Sequence, residues 1–316
     1  MTSITRSDSW LGIEFRHLAA LEAVARCGTF GRAAEALGYT QSAVSQQIAA
    51  LERIVGEKLV DRPGGPRRVS LTEAGALLLR HAEAINARIA AAQADMSALR
   101  EGETGTLRVG VYQSVGARIL PTLMRRFMAD WPGVELQLVE VNSDSEPEVV
   151  SRIETGDLDL AFWILPLPEG PLEGIELISD PYVLVVPSGH PLARRERAGL
   201  EHLDDLLLIG NQTCRTTVIA EDALRAFGLD PRVGFRSDDN GTVQNLVAAG
   251  LGAALVALLA VDTADERVRV LDLVPPIPPR RIAIAWHRDR HRSPAARAFV
   301  EVAEQVCAEL QPALAA

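Results

Sequence analysis

Residues 29–56 read TFGRAAEALGYTQSAVSQQIAALERIVG and divide at a single glycine into two short amphipathic segments. Ala33, Ala34 and Leu37 are the apolar set of the first segment, Gly38 offers the left-handed conformation that stops a helix, and Thr40 is placed to cap the next. In the second segment Val44, Ile48, Leu51 and Val55 are spaced 4, 3 and 4, so one narrow stripe faces a core. The opposite face carries Gln41, Ser42, Ser45 and Gln46, short or amide-bearing side chains that both donate and accept. Such a face suits a helix laid in a major groove with its first residues at base edges. Any two glycine-linked helices could show a solvated polar face, so the flanks decide. Downstream, Lys58, Arg62, Arg67 and Arg68 surround Pro63-Gly64-Gly65-Pro66, a stiff basic loop suited to phosphates. Upstream, Phe15, Leu18, Leu21 and Val24 supply a third helix for the core. The expectation is a winged helix-turn-helix over residues 1–71. Its DNA-binding set is Thr40, Gln41, Ser42, Ser45 and Gln46, with Arg32, Arg62, Arg67 and Arg68 holding phosphate.

AAEALGYTQSAVSQQIAALERIVGEKLVDR followed by VSLTEAG resembles the N-terminal winged helix-turn-helix of LysR-type transcriptional regulators. Two features depart from that family's habit. Gln46 and Ala49 stand where members often carry a basic residue, which bears on the operator sequence, and Val60 stands where an aromatic is common, which bears on packing under the wing.

A chain of 316 residues fits two or three units at the usual ~100–200 residues per domain. A hydrophobic content of 47% is enough for real cores, which excludes a disordered chain. Net charge is −10, yet the first 71 residues carry nine Lys/Arg against seven Asp/Glu, so the acidity lies in the remainder and does not oppose DNA binding by the first domain. Cys27, Cys214 and Cys307 are scattered and odd in number, which supports neither a disulfide framework nor a metal site and fits a reducing cytoplasm. MTSITRSDSWLG has no apolar run of the kind a secretory signal needs, and the uncharged stretch 240–261 is broken by glycines and amides, so no membrane span is expected.

From Thr72 the chain becomes rich in Ala, Leu, Glu and Arg. Leu78, Ala82, Ile85, Ile89, Ala92, Met96 and Leu99 recur at 4, 3, 4, 3, 4, 3, a heptad seam on a helix reaching ~42 Å at ~1.5 Å per residue. A long helix packed on its own domain is the competing reading. Pairing with a second copy is preferred because a stripe this long needs covering. Residues 72–100 are therefore read as a linker and dimerisation helix, and the glycines of 101–106 as a hinge.

Beyond it, apolar strands alternate with helices, which implies a parallel sheet with helices on its faces. Residues 107–316 are read as two α/β subdomains with a cleft between them: subdomain I over about 107–176 and 268–316, subdomain II over about 177–267. Leu120-Pro121, the run Gly156–Ala161, His190-Pro191-Leu192 and the run Leu246–Gly252 resemble the effector domain of the same family, which shares its architecture with type 2 periplasmic binding proteins. The resemblance implies effector contacts at Gln113, Ser114, Asn142, Ser143, Trp163, Cys214, Arg215 and Asn240. It further implies a homodimer through the linker helix, a tetramer built from dimers, and as partners a double-stranded DNA operator, a small effector and RNA polymerase.

Arg215, between a buried strand and a helix, points to an anionic organic effector, since a guanidinium grips a carboxylate with two parallel bonds. No metal or tightly held cofactor is expected. Two other function classes compete with this one. A purely architectural DNA protein would need no cleft domain. A hydrolase using Ser114 is disfavoured because Tyr112 occupies the position where a nucleophile elbow needs glycine.

Overall fold

The computed structural model describes residues 10–61, 69–101, 104–141, 146–210 and 215–315. Two compact units, Met1–Gln93 and Ala94–Ala316, divide inside one long helix.

In the first unit α1 (Phe15–Cys27), α2 (Phe30–Leu37) and α3 (Gln41–Val55) form the three-helix core, β1 (Val60–Asp61) pairs antiparallel with β2 (Ser70–Leu71) as the stem of a wing, and α4 (Glu73–Glu101) follows. Leu18, Leu21, Val24, Ala33, Val44, Ile48 and Leu51 are buried together with Leu59. Phe15 departs from the expectation and is 49% exposed. The steps 15, 18, 21, 24 lag a 3.6-residue repeat by ~60° each, so Phe15 ends ~180° round from Val24. Gly75 lies so close to the wing stem that a Cβ there would sit 2.0 Å from the Leu59 carbonyl oxygen. Leu78 and Ala82, the first two seam positions of α4, are absorbed by this core, whereas Ile85, Ile89 and Met96 remain exposed.

The second unit begins with β3 (Gly105–Val111), α5 (Gln113–Arg118), α6 (Leu120–Asp130), β4 (Val134–Glu140), α7 (Glu146–Thr155), β5 (Leu160–Ile164) and β6 (Leu172–Asp180). Then come β7 (Tyr182–Pro187), β8 (Arg197–Gly199), β9 (Leu207–Gly210), α8 (Arg215–Ala226), β10 (Arg232–Arg236), α9 (Asn240–Ala248) and β11 (Ala254–Ala257). The unit ends with β12 (Val268–Val274), β13 (Arg280–His287) and α10 (Pro294–Ala315). Subdomain I holds the five-stranded sheet β4-β3-β5-β13-β6, with β3 parallel to both β4 and β5 and β13 antiparallel to both its neighbours. Subdomain II holds β11-β7-β12-β8, to which the parallel pair β9 and β10 is joined by a bridge from Leu208 to Ala253. Strand β7 is buried on both faces: Tyr182, Leu184 and Val186 enter one cluster, Val183 and Val185 the other.

Three expected boundaries move. Strand β12 pairs antiparallel with β7, so residues 268–274 belong to subdomain II and not to I. The prolines that follow it lack the amides a sheet needs, and the chain crosses back only there. The first crossing falls at Pro181, which splits the apolar run 177–187 into β6, still in subdomain I, and β7. The division between compact units comes about two turns before the 101–106 segment. Inside the second unit, Asp95 near the end of α4 accepts from Arg290 Nε at 3.1 Å and from the His291 amide at 3.3 Å. The Arg290 guanidinium also donates to the Ile153 and Leu158 carbonyls. The helix end is thus fixed to subdomain I ahead of the glycines.

Candidate DNA-reading surface and effector cleft

The reader helix is set by its ends. Gly38 takes φ 68° and closes α2, and the Tyr39 amide donates back to the Ala34 carbonyl at 2.9 Å. Thr40 has extended backbone and its Oγ1 accepts from the Ala43 amide at 3.2 Å while sharing a bond with Ser42 Oγ at 3.0 Å. Its hydroxyl therefore serves the cap. Gln41, Ser42 and Gln46 are exposed, Ser45 is half-buried beside them, and Arg32 is exposed on α2. Arg62, Arg67 and Arg68 lie outside the described residues. One residue here escaped the sequence reading. Glu52, on the shoulder of the α3 stripe, accepts through Oε1 from the amides of Leu59 at 2.9 Å and Val60 at 3.2 Å.

In the second unit the chain leaves β3 into α5 and brings Gln113 and Ser114 to the boundary between the subdomains. The Gln113 carboxamide spans that boundary. Its Nε2 donates to Asp239 Oδ2 and its Oε1 accepts from the Asn240 amide, both at 2.8 Å. Asp239 is the N-cap of α9 and accepts from the Thr242 amide at 2.6 Å. Thr242, through its hydroxyl and its amide, and then Gln113 hold the Asp239 carboxyl below the usual carboxylate range. Ser114 is buried and its Oγ accepts from Arg280 Nη2 at 2.9 Å. Arg280 in turn meets Asp180 Oδ2 at 2.7 Å, and Asp180 Oδ1 accepts from the Leu259 amide at 3.0 Å. Burial pushes the Asp180 carboxyl up, against the pull of the Arg280 guanidinium and the Leu259 amide. Arg118 adds a third tie, donating to the Val261 carbonyl and to Asp262 at 3.2 Å.

The expected effector residues are thus dispersed. Gln113 and Asn240 face each other, Ser114 is occupied by Arg280, and Trp163 is fully buried in the core of subdomain I, its indole N–H without an acceptor among the described residues. Trp163 therefore does not line the cleft as an open contact. Asn142, Ser143 and Cys214 lie outside the described residues, and Arg215 is described only as the first residue of α8. Asp180 and Arg280 went unread, although a signal existed. Asp180 closes an apolar run just before Pro181, and Arg280 stands between Pro279 and Arg281 where another begins; charges so placed survive burial only by pairing.

Ser114 has a guanidinium for a neighbour, which donates only and cannot take a proton from the hydroxyl. Burial pushes the Cys307 thiol up to about 12, so it stays protonated at neutral pH. Among the described residues no three His, Cys, Asp or Glu side chains are grouped to hold a metal, and no helix is long and apolar enough to cross a membrane.

Residues 15–76 match the family model described as the bacterial regulatory helix-turn-helix protein of the lysR family, and residues 100–308 match the LysR substrate binding domain. The chain belongs to the LysR family of transcriptional regulators. Relatives extend along its length. The HTH-type transcriptional regulator IlvR of Caulobacter vibrioides is 35% identical over 87% of this chain and 92% of its own. The Bacillus subtilis regulator YybE is 30% identical over 91% of this chain and 97% of its own. A full-length OxyR variant from Pseudomonas aeruginosa shares the fold with a TM-score of 0.63 at 24% identity, covering 93% of this chain and 94% of that one. This LysR-type regulator is accordingly a DNA-binding transcriptional regulator in which a small molecule bound by the α/β domain modulates activity.

Proposed function

We propose that this regulator acts in the cytoplasm as a homodimer joined along α4, assembled further into a tetramer, on a double-stranded operator, with RNA polymerase as a downstream partner and no enzymatic activity of its own. The exposed seam residues Ile85, Ile89 and Met96 support pairing, since an apolar heptad stripe outside a core is stable when a second copy covers it. The ligand is a small organic anion held between the subdomains. The observation that carries this reading is the cross-cleft bridge: subdomains I and II meet there through exposed bonds from Gln113 to Asp239 and Asn240, which a ligand can replace with its own.

Asp239 keeps negative charge beside that bridge, so the anion is assigned instead to Arg215, which heads α8, where the helix N-terminus adds partial positive charge. The test is a mobility-shift titration on the chain's own upstream DNA with a panel of small carboxylic acids. At least one acid is expected to alter the shift, and Arg215→Ala is expected to abolish that response while effector-free binding persists. A variant with an unchanged dose response would eliminate the carboxylate grip.

A further inference from the structure

We infer that Glu52 is a positioning residue for DNA binding: it holds the stem of the wing in register with the reader helix, and the phosphate role expected of the wing from its sequence depends on that stem. The chain leaves α3 at Gly56, whose φ of 83° permits the reversal, and must return alongside the helix as β1. Glu52 accepts the Leu59 and Val60 amides on one side of that returning strand. On the other side, Thr72 donates its hydroxyl to the Lys58 carbonyl at 2.6 Å and its amide to the Leu59 carbonyl at 3.0 Å. The strand over residues 58–60 is therefore gripped through its amides by the reader helix and through its carbonyls by the start of α4.

The chemistry selects glutamate. A single carboxylate oxygen has lone pairs for two successive amides, and the side chain must reach from the helix shoulder past its own backbone. Aspartate is one methylene shorter and would not span the gap. Leu59 and Val60 are themselves buried, so their amides have little access to water that could replace the lost acceptor. Glu52 faces the stem and not the exposed polar face of α3. Its removal is accordingly expected to loosen the wing while leaving the base-reading side chains in place.

The experiment measures operator binding by fluorescence anisotropy across a salt series for the full-length chain and for Glu52→Ala, Glu52→Asp, Glu52→Gln, Arg67→Ala and the double variant Glu52→Ala with Arg67→Ala. Glu52→Ala and Glu52→Asp are expected to weaken binding about tenfold on all operator variants alike and to flatten the salt slope by ~1 or more, as lost phosphate contacts do. Glu52→Gln, which keeps the accepting oxygen, is expected to recover most of the loss. Adding Arg67→Ala to Glu52→Ala is expected to cost little more, because the contact is already gone.

Additive effects of the two substitutions would overturn the inference while leaving the wing's phosphate role standing. An unchanged salt slope for Arg67→Ala alone would remove the wing reading and the inference with it. Should Glu52→Ala unfold, the charge-conserving Glu52→Asp decides: a wild-type salt slope in that variant overturns the proposal.

Discussion

Gln46 stands exposed on the second turn of the reader helix, away from the capping duty that occupies Thr40. An amide there can pair bidentately with adenine, a contact worth ~1–3 kcal/mol of discrimination. Gln46→Ala is therefore expected to level the ranking of operator variants in a competition assay, and an unchanged ranking would reassign base readout to Gln41, Ser42 or Ser45. Ser114 and Trp163 teach the converse lesson. Both sit at positions the family resemblance assigns to ligand, yet one is bonded to Arg280 and the other is core. Residue type and position can mark a site's neighbourhood, but which side chains stay open there depends on partners far along the chain, such as Asp180 and Arg280.

Elements announced themselves where their signals are local. The cap at Thr40, the left-handed stop at Gly38 and the stripe Val44, Ile48 and Leu51 are read within a few turns of the chain, and the structure has each of them, with Val55, the last of that stripe, half-buried. Strand β12 joins a sheet its sequence does not announce, because its partner β7 lies some eighty residues earlier and nothing in an apolar run says which sheet it joins. Helix α4 falls between these cases: its period is local, but Leu78 and Ala82 serve the core of their own unit, so only its later part offers a seam. Ile85→Glu places a carboxylate in that part, where desolvation would oppose pairing by several kcal/mol. A dimer-sized particle is expected to become a monomer by sedimentation with helix content retained. Unchanged mass would show that the copies associate elsewhere.

At the scale of the whole effector domain, the two subdomains are tied by a buried pair at the crossings and by an exposed carboxamide at the cleft. The exposed tie is the weaker, ~1 kcal/mol or less, enough to bias an open-closed equilibrium by about fivefold at most. Gln113→Ala is expected to raise the open population in small-angle scattering. Gln113→Glu is expected to raise it more, since two carboxylates would then face each other. A radius of gyration unmoved in both would show that the bridge does not hold the cleft.

The pH dependence has a definite sign. Asp239 is held below its usual range, so its contribution is fully present above about pH 4 and is lost as pH falls through the lowered value. The bridge is accordingly expected to be indifferent to pH between about 5 and 8, and the extra opening caused by Gln113→Glu to recede on acidification.

The two grips on α4 have a mechanical meaning. One end is keyed into the wing stem, where Thr72 and Gly75 meet residues 58–59, and the other into the loop that carries Arg290. Gly156 presses so near that a Cβ on it would lie 2.7 Å from the methyl of Ala94. Between these keyways runs a shaft of ~30 Å, hydrogen-bonded along its length and without proline or glycine. Each key can be released without unwinding the shaft: loosening the Asp95 key frees the last turns of α4 from subdomain I, and loosening the Thr72 key frees the strand that leads to the wing.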